Sequence, residues 1–323
     1  MDTMIKESDL NFHIPVDIPH DWAETGYFNI YIPEQNIFCW IYIVHRAGVG
    51  VTVSDVEIID NWSDSLDDAV YIDYINHNPL PEKATKFVLP SGLSFHAKSL
   101  REYSLVYEAN GVAFNLDFTS IMEPYDIHDA SMDPLATDDQ EAAIANTGFG
   151  SAYASHFDMS VRAKGVLTIG DETYSVDCVS TMDHSWGPRP ENNFSPMTWN
   201  NAHFGEGYVV HAIFAFDRFA PAGKQHQFKH GYALVDGKVR GAKSGSAKVV
   251  RNGDYVIAIE MRVVDVDDRE HIVHGVAVSH TPWRLYGNAQ STMAMMEWRR
   301  PGSDDVGCGT YFDTWPLNRL RNA

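Results

Sequence analysis

The chain has 323 residues with a hydrophobic share of 44% and a charged share of 21%, the balance of a folded protein with room for two domains of ordinary size. Its 44 acidic residues against 24 basic ones leave a net charge of −20, which disfavours nucleic acid and anionic membrane surfaces because both are recognised through clustered Lys and Arg. Cys39, Cys178 and Cys308 are far apart and form no CxxC, so neither a disulfide framework nor a structural zinc site is expected. The first residues lack the basic start and apolar run of a secretion signal, and no apolar stretch nears the ~18 residues of a spanning helix. A cytoplasmic monomer or homodimer, with no membrane partner, is the expectation.

In chain order, strand-like runs begin with Tyr27–Ile32 and Phe38–His45, joined by Pro-Glu-Gln-Asn. Val51–Ile59, Lys86–Leu89, Leu93–His96, Ser104–Tyr107 and Val112–Asp117 follow, the last two flanking an Asn-Gly pair that marks a tight hairpin. Aromatic residues reach 12% of the chain, which suits strands and also suits a pocket for an apolar ligand. From about Glu123 to Thr147 the composition shifts to Pro, Asp and a short Ala-rich stretch, the mark of a connector carrying a helical turn or two. Beyond it, His156–Ile169 and Thr173–Met182 flank Gly170-Asp171-Glu172 as another hairpin, and short strand candidates continue to Gly309–Phe312. The pattern predicts an all-β protein of two packed antiparallel β-barrel or sandwich domains, residues 1–147 and 148–323, with the second carrying the motif described next.

The strand that starts at Thr173 runs into Asp183-His184-Ser185-Trp186-Gly187-Pro188-Arg189. Period-2 alternation puts Met182, His184 and Trp186 on one face and Thr181 and Asp183 on the other. The first face is the more apolar, so His184 and Trp186 are expected to point into a cavity. Asp183 then points away from it, fixing backbone or pairing with a cation, and Gly187-Pro188 turns the chain so that Arg189 returns over the cavity mouth. An imidazole with an ordinary pKa near ~6.5 in such a place suits acid–base work. In the strand Tyr208–Asp217, His211 interrupts a run that is apolar on both faces, the sign of a strand covered on both sides. Trp199 and His203 share parity just before it. No dinucleotide, phosphate-loop, nucleophile-elbow or HExxH motif occurs, and the pairs His226/His230 and His271/His274 lack the setting of metal ligands.

The motif Asp183-His184-Ser185-Trp186-Gly187-Pro188-Arg189, with the hairpin Gly165-Val-Leu-Thr-Ile-Gly170…Tyr174-Ser-Val-Asp177 before it, resembles the AttH-like and carotenoid 1,2-hydratase-like group, whose members carry a DHxWG-type motif at the corresponding place. Tyr27-Phe-Asn-Ile-Tyr31…Glu34 and Tyr103-Ser-Leu-Val-Tyr107…Gly111-Val are similar to the N-terminal half of such proteins. The resemblance implies two packed lipocalin-like (calycin) barrels with a cavity in or between them. It also implies chemistry without metal or organic cofactor, as in hydratases of isoprenoid double bonds and the related cyclases called Diels-Alderases. In the hydratases the motif His and Trp are implicated in catalysis, together with a Tyr and an Asp of the following strand. His184 and Trp186 match the first pair. In place of the Tyr this chain offers His211, with Tyr208 nearby and Asp217 further on.

The resulting expectation is a lyase, hydratase or isomerase acting on a hydrophobic aromatic or isoprenoid molecule. His184 moves the proton, and His211 or Tyr208 is its counterpart across the substrate. Asp183 belongs to the catalytic group, and Trp186, Arg189, Trp199, His203 and Tyr31 bind the substrate. The alternative is a lipocalin-like binding protein that leaves its ligand unchanged.

Overall fold

The structure is a computed structural model that describes residues 5–190, 192, 194–221 and 223–317. Its first half is built from β1 (Trp22–Ile32), β2 (Ile37–Arg46), β3 (Val51–Ile59), β4 (Tyr71–Pro79), β5 (Lys86–Val88), β6 (Ser94–Ser99), β7 (Glu102–Ala109) and β8 (Val112–Ser120). A short β9 (Tyr125–Asp126) and the helix α1 (Gln140–Asn146) lead into the long hairpin β10 (Ser155–Ile169) and β11 (Glu172–Pro188). The order across this sheet is β4-β3-β2-β1-β11-β10-β8-β7-β6-β5, with β9 paired to β10, and it curls into a half-barrel.

The second half is β12 (Met197–His203), β13 (Tyr208–Phe216), β14 (His226–Val235), β15 (Lys238–Asn252), β16 (Tyr255–Asp265), β17 (Glu270–Trp283), β18 (Ala289–Arg299) and β19 (Val306–Pro316). These strands pair in sequence order and β19 returns to β12, so the sheet closes into an eight-stranded barrel. Closure removes the free edges that an open sheet leaves. The all-β, lipocalin-like architecture expected from the sequence is therefore present. Among the described residues no helix is long and apolar enough to cross a membrane.

The division between the halves falls elsewhere than at 147/148. β10 and β11 hydrogen-bond to β8 and β1 of the first sheet, so the chain crosses to the barrel only within 189–196. The motif accordingly belongs to the first sheet and not to the second. The physical reason is a long-range pairing: β11 zips onto β1 with Ser185 opposite Thr25 and Asp183 opposite Tyr27. The connector docks on the barrel, where Asp133 Oδ2 lies 2.6 Å from His230 Nδ1.

Burial explains the local choices. β8 faces solvent on one side, so Val112, Phe114, Leu116 and Phe118 alternate with more exposed neighbours. β2 is covered on both sides and is apolar throughout Ile37–Val44. Its Ile37, Cys39, Ile41 and Ile43 fill the concave core of the half-barrel, while Phe38, Trp40, Tyr42 and Val44 pack towards the closed barrel. β13 does the same from the other side: Val209 and Ile213 join that shared core, and Val210, Ala212 and Phe214 fill the barrel interior. Where β19 crosses β12 the backbones nearly touch, and a Cβ on Gly309 would lie 1.8 Å from Asn201 O. Gly309→Ala is expected to cost about 1–3 kcal/mol through forced displacement of the ladder, read as a lowered urea midpoint with unchanged m; an unchanged midpoint would show the two strands to be loosely paired.

Candidate active site

The end of β11 is buried on both faces, and its alternation deals two sets of side chains to two places. Asp183 and Ser185 point to the cleft between half-barrel and barrel. His184 points to the concave core of the half-barrel. Gly187, one residue before the strand ends, has φ 152° and lies so close to the segment after α1 that a Cβ would meet Ser151 O at 2.4 Å. Arg189, just past the strand, is only 5% exposed. Its Nη2 donates to Ser185 Oγ at 2.5 Å and Thr25 Oγ1 at 3.1 Å, and its Nη1 donates to Tyr286 Oη at 3.0 Å. Among the described residues its buried Nε–H has no partner.

Asp183 and Arg189 share a cavity with about 40 Å³ free, walled by the rings of Tyr27, Tyr42, Tyr153, Trp199 and Trp283. Trp283 and Leu285 line both this cavity and an outer groove of about 510 Å³ that borders Val44, Val53 and Tyr74. Among the described residues nothing hydrogen-bonds the Asp183 carboxylate. Burial pushes its pKa up to about 7; Asp158 adds to the rise, and His156 and Arg189 oppose it. The carboxyl thus changes its proton near neutral pH, where an acid–base group works best.

Directly across the ladder from Asp183 is Asp158 on β10. Its Oδ2 lies 2.8 Å from His156 Nε2 and 3.2 Å from His211 Nε2, and its Oδ1 accepts from Trp199 Nε1 at 3.3 Å. Burial works against its ionisation, but His156 and His211 outweigh burial and hold Asp158 well below the usual carboxylate range. Burial likewise lowers His156, and Asp158 outweighs it, so the net shift of His156 is upward. Tyr153 stacks on the His156 ring at 3.9 Å. The result is two unlike carboxyls side by side, one kept ionised between imidazoles and one poised near neutrality. Trp283 is fixed from behind by donating to Asp55 Oδ2 at 2.7 Å. Arg189→Met should raise the Asp183 titration midpoint further, since one of its two opposing cations is gone, as followed by carboxyl ¹³C NMR. A midpoint that stays near 7 or falls would mean that the carboxyl does not feel the guanidinium.

The cavity brings together Asp183, Arg189 and Trp199 of the residues singled out in the sequence. His211 stands behind them: its Nδ1 lies 3.0 Å from Asn200 O and 3.0 Å from Asn201 Oδ1. Tyr31 lies in the shared core with its hydroxyl 2.6 Å from Thr310 Oγ1, and His203 is buried there with its pKa lowered to about 3 by desolvation. Tyr208 sits elsewhere on the barrel, bonded to His271 at 2.9 Å and covered by Arg300. His184 and Trp186 are on the other side of the sheet. Three expectations are therefore corrected. Asp183 faces the inter-barrel cavity, not away from it. Arg189 is buried within it and not at its mouth. His184 and His211 do not flank one space, because the sheet itself lies between the directions they face.

Sequence reading missed Tyr27, Tyr42, Tyr153, His156, Asp158 and Trp283 as site residues. The signal available was His156-Phe157-Asp158, two titratable residues on one face of a strand that hairpins with the motif.

The fold and site define a class: an all-β, lipocalin-like half-barrel and closed barrel with an aromatic cavity between them. The chain belongs to the family described as a domain of unknown function, DUF7064, whose profile matches residues 6–312. Kievitone hydratase from Nectria haematococca superimposes with a TM-score of 0.56 at 9% identity, over 92% of this chain and 89% of that one. A candidate AttH protein from Nitrosomonas europaea gives 0.58 at 14% identity, over 91% and 92%. CghA gives 0.51 at 12% identity, over 92% and 88%. At these identities the likeness is one of fold. No curated protein matches the sequence.

Proposed function

We propose that the protein is a lyase, hydratase or isomerase that transforms a hydrophobic aromatic or isoprenoid small molecule between the two barrels, with Asp183 as its proton-transfer group. The observation that carries this reading is the Asp183 carboxyl, unbonded among the described residues, titrating near 7, and set among aromatic rings beside Arg189. As a carboxylate it takes a proton from carbon next to a carbonyl or hydroxyl; as an acid it protonates an alkene or a departing hydroxyl. The orphan Nε–H of Arg189 is a fixed donor for a substrate oxygen, oriented before the reaction by the three hydroxyls that hold its other nitrogens. Trp199 and Trp283 offer ring faces to developing positive charge. Asp158 keeps its negative charge beside Asp183 and so keeps that proton available.

The free space of about 40 Å³ is far below the ~300 Å³ at which small-molecule sites begin. Substrate entry therefore displaces Leu285 and joins the cavity to the outer groove. Among the structural neighbours, a hydratase supports a reaction of this class. The test is incubation of the pure protein with alkenes, alcohols and phenolics, read by change of mass or of chromatographic retention against an Asp183→Asn control. A new product absent from the control is expected; a ligand that binds and stays unchanged in mass and retention would make the chain a binding protein.

A further inference from the structure

On the concave side of the half-barrel, away from Asp183, three side chains of metal-binding type meet. His13 comes from the coil before β1, Glu24 from β1 and His184 from β11, and one ligand atom of each lies within 4.8 Å of the other two. We propose that these residues bind a divalent first-row transition cation, with Zn²⁺ as the reference ion. Two imidazoles and one carboxylate suit Zn²⁺, Fe²⁺, Co²⁺ or Ni²⁺, whereas Mg²⁺ and Ca²⁺ prefer oxygen alone.

Each ligand is held by a partner outside the cluster, the arrangement that orients metal ligands. His184 Nδ1 lies 2.7 Å from Thr25 O, which can only accept, so the proton is on Nδ1 and the lone pair on Nε2. That Nε2 is buried and has no partner among the described residues. The His13 ring lies flat against Trp186 at 3.7 Å and an interplanar angle of 2°. Glu24 Oε1 accepts from the His13 backbone N–H at 2.8 Å and from Trp22 Nε1 at 3.3 Å. Its Oε2 is 3.3 Å from His13 Nδ1 and remains the coordinating oxygen.

A His13–Glu24 pair alone would merely tie the N-terminal coil to β1. It would not account for a buried imidazole nitrogen left without a partner beside a carboxylate that is only 1% exposed. A cation satisfies both at once. The cluster opens onto a cavity with about 40 Å³ free between Phe28, His45, Phe87 and Phe95, enough for a metal-bound water in the fourth position.

The experiment uses the full chain, tag-free and stripped with chelator, titrated with Zn²⁺ by calorimetry and with Co²⁺ by its visible d–d absorbance. One equivalent is expected, with imidazole-ligated Co²⁺ bands. His13→Ala and Glu24→Gln should each weaken binding by more than about tenfold, the lower range found for mere outer partners. His13 lies outside both sheets, so circular dichroism of that variant should match the wild type. Asp183→Asn should bind Zn²⁺ as the wild type does, which keeps this inference separate from the catalytic reading. Absence of saturable single-site binding by the wild type, or equal affinity in the His13→Ala and Glu24→Gln proteins, overturns it.

Discussion

Replacing Asp183 by Asn is expected to reduce turnover of any substrate the chain converts by a factor on the order of 10²–10⁴, the usual worth of a positioned acid or base. That range is about 3 to 5 kcal/mol of barrier. Asn keeps the shape and the polarity of the site but neither gives nor takes the proton. Substrate binding should change little, so the loss belongs in kcat more than in KM. The pH profile then tells which way the proton moves. With Asp183 as base, wild-type kcat/KM falls as pH drops through about 7, because the carboxyl protonates there. With Asp183 as acid, it falls as pH rises through the same value. In Asp183→Asn the limb near 7 should vanish. A variant that keeps wild-type turnover together with that limb would remove Asp183 from the mechanism.

Much of the architecture is legible in the sequence because burial writes itself into alternation. The apolar run of β13 around His211 is read correctly as a strand covered on both sides, since its two faces join the shared core and the barrel interior. Parity on β11 also separates His184 and Trp186 from Asp183 before any coordinates are known. What parity does not tell is which face meets a ligand when both are buried. The more apolar face proves to be the concave core, and the polar face proves to line the inter-barrel cavity.

The passage from one sheet to the other lies beyond the linker-like composition for a related reason. Pro and Asp between 123 and 147 have the composition of a linker, yet that segment straps onto the barrel through Asp133 and His230 while the following hairpin returns to the first sheet. Pairing of β11 with β1 joins residues 160 apart, as in the Thr25–Ser185 bond, and no local pattern encodes it. The His13, Glu24 and His184 cluster was hidden by the same distance in sequence. None of its members stands at a ligand-like spacing from another.

The substitution that removes activity is also expected to stabilise the fold at alkaline pH. Asp183 has an ordinary value of 3.8 and a folded value of about 7, so over that interval the folded chain holds a proton that the unfolded chain has released. The stability it contributes is complete below the unfolded value and is lost as pH rises through the folded one. The full loss is about 4 kcal/mol, at 1.36 kcal/mol for each of about three units. Asn stays neutral in both states and avoids it. Buried histidines act in the opposite sense. His45 and His203, lowered to about 3, and His184, lowered to about 4, contribute stability above their ordinary 6.5 that is lost as pH falls. They are common to both proteins and cancel in the difference.

Urea unfolding of wild type and Asp183→Asn at pH 5.5 and pH 8.5 should therefore show the variant gaining about 2 kcal/mol on the wild type between the two, the part of the interval from 5.5 to 7. A difference that stays constant or shrinks with rising pH would mean that the carboxyl is not held near 7. The pairing of the two results carries the argument. A carboxylate kept for structure loses stability when it is neutralised, whereas one kept ionisable in an apolar cavity for its chemistry costs stability while present. Loss of turnover together with a gain in alkaline stability marks the second kind.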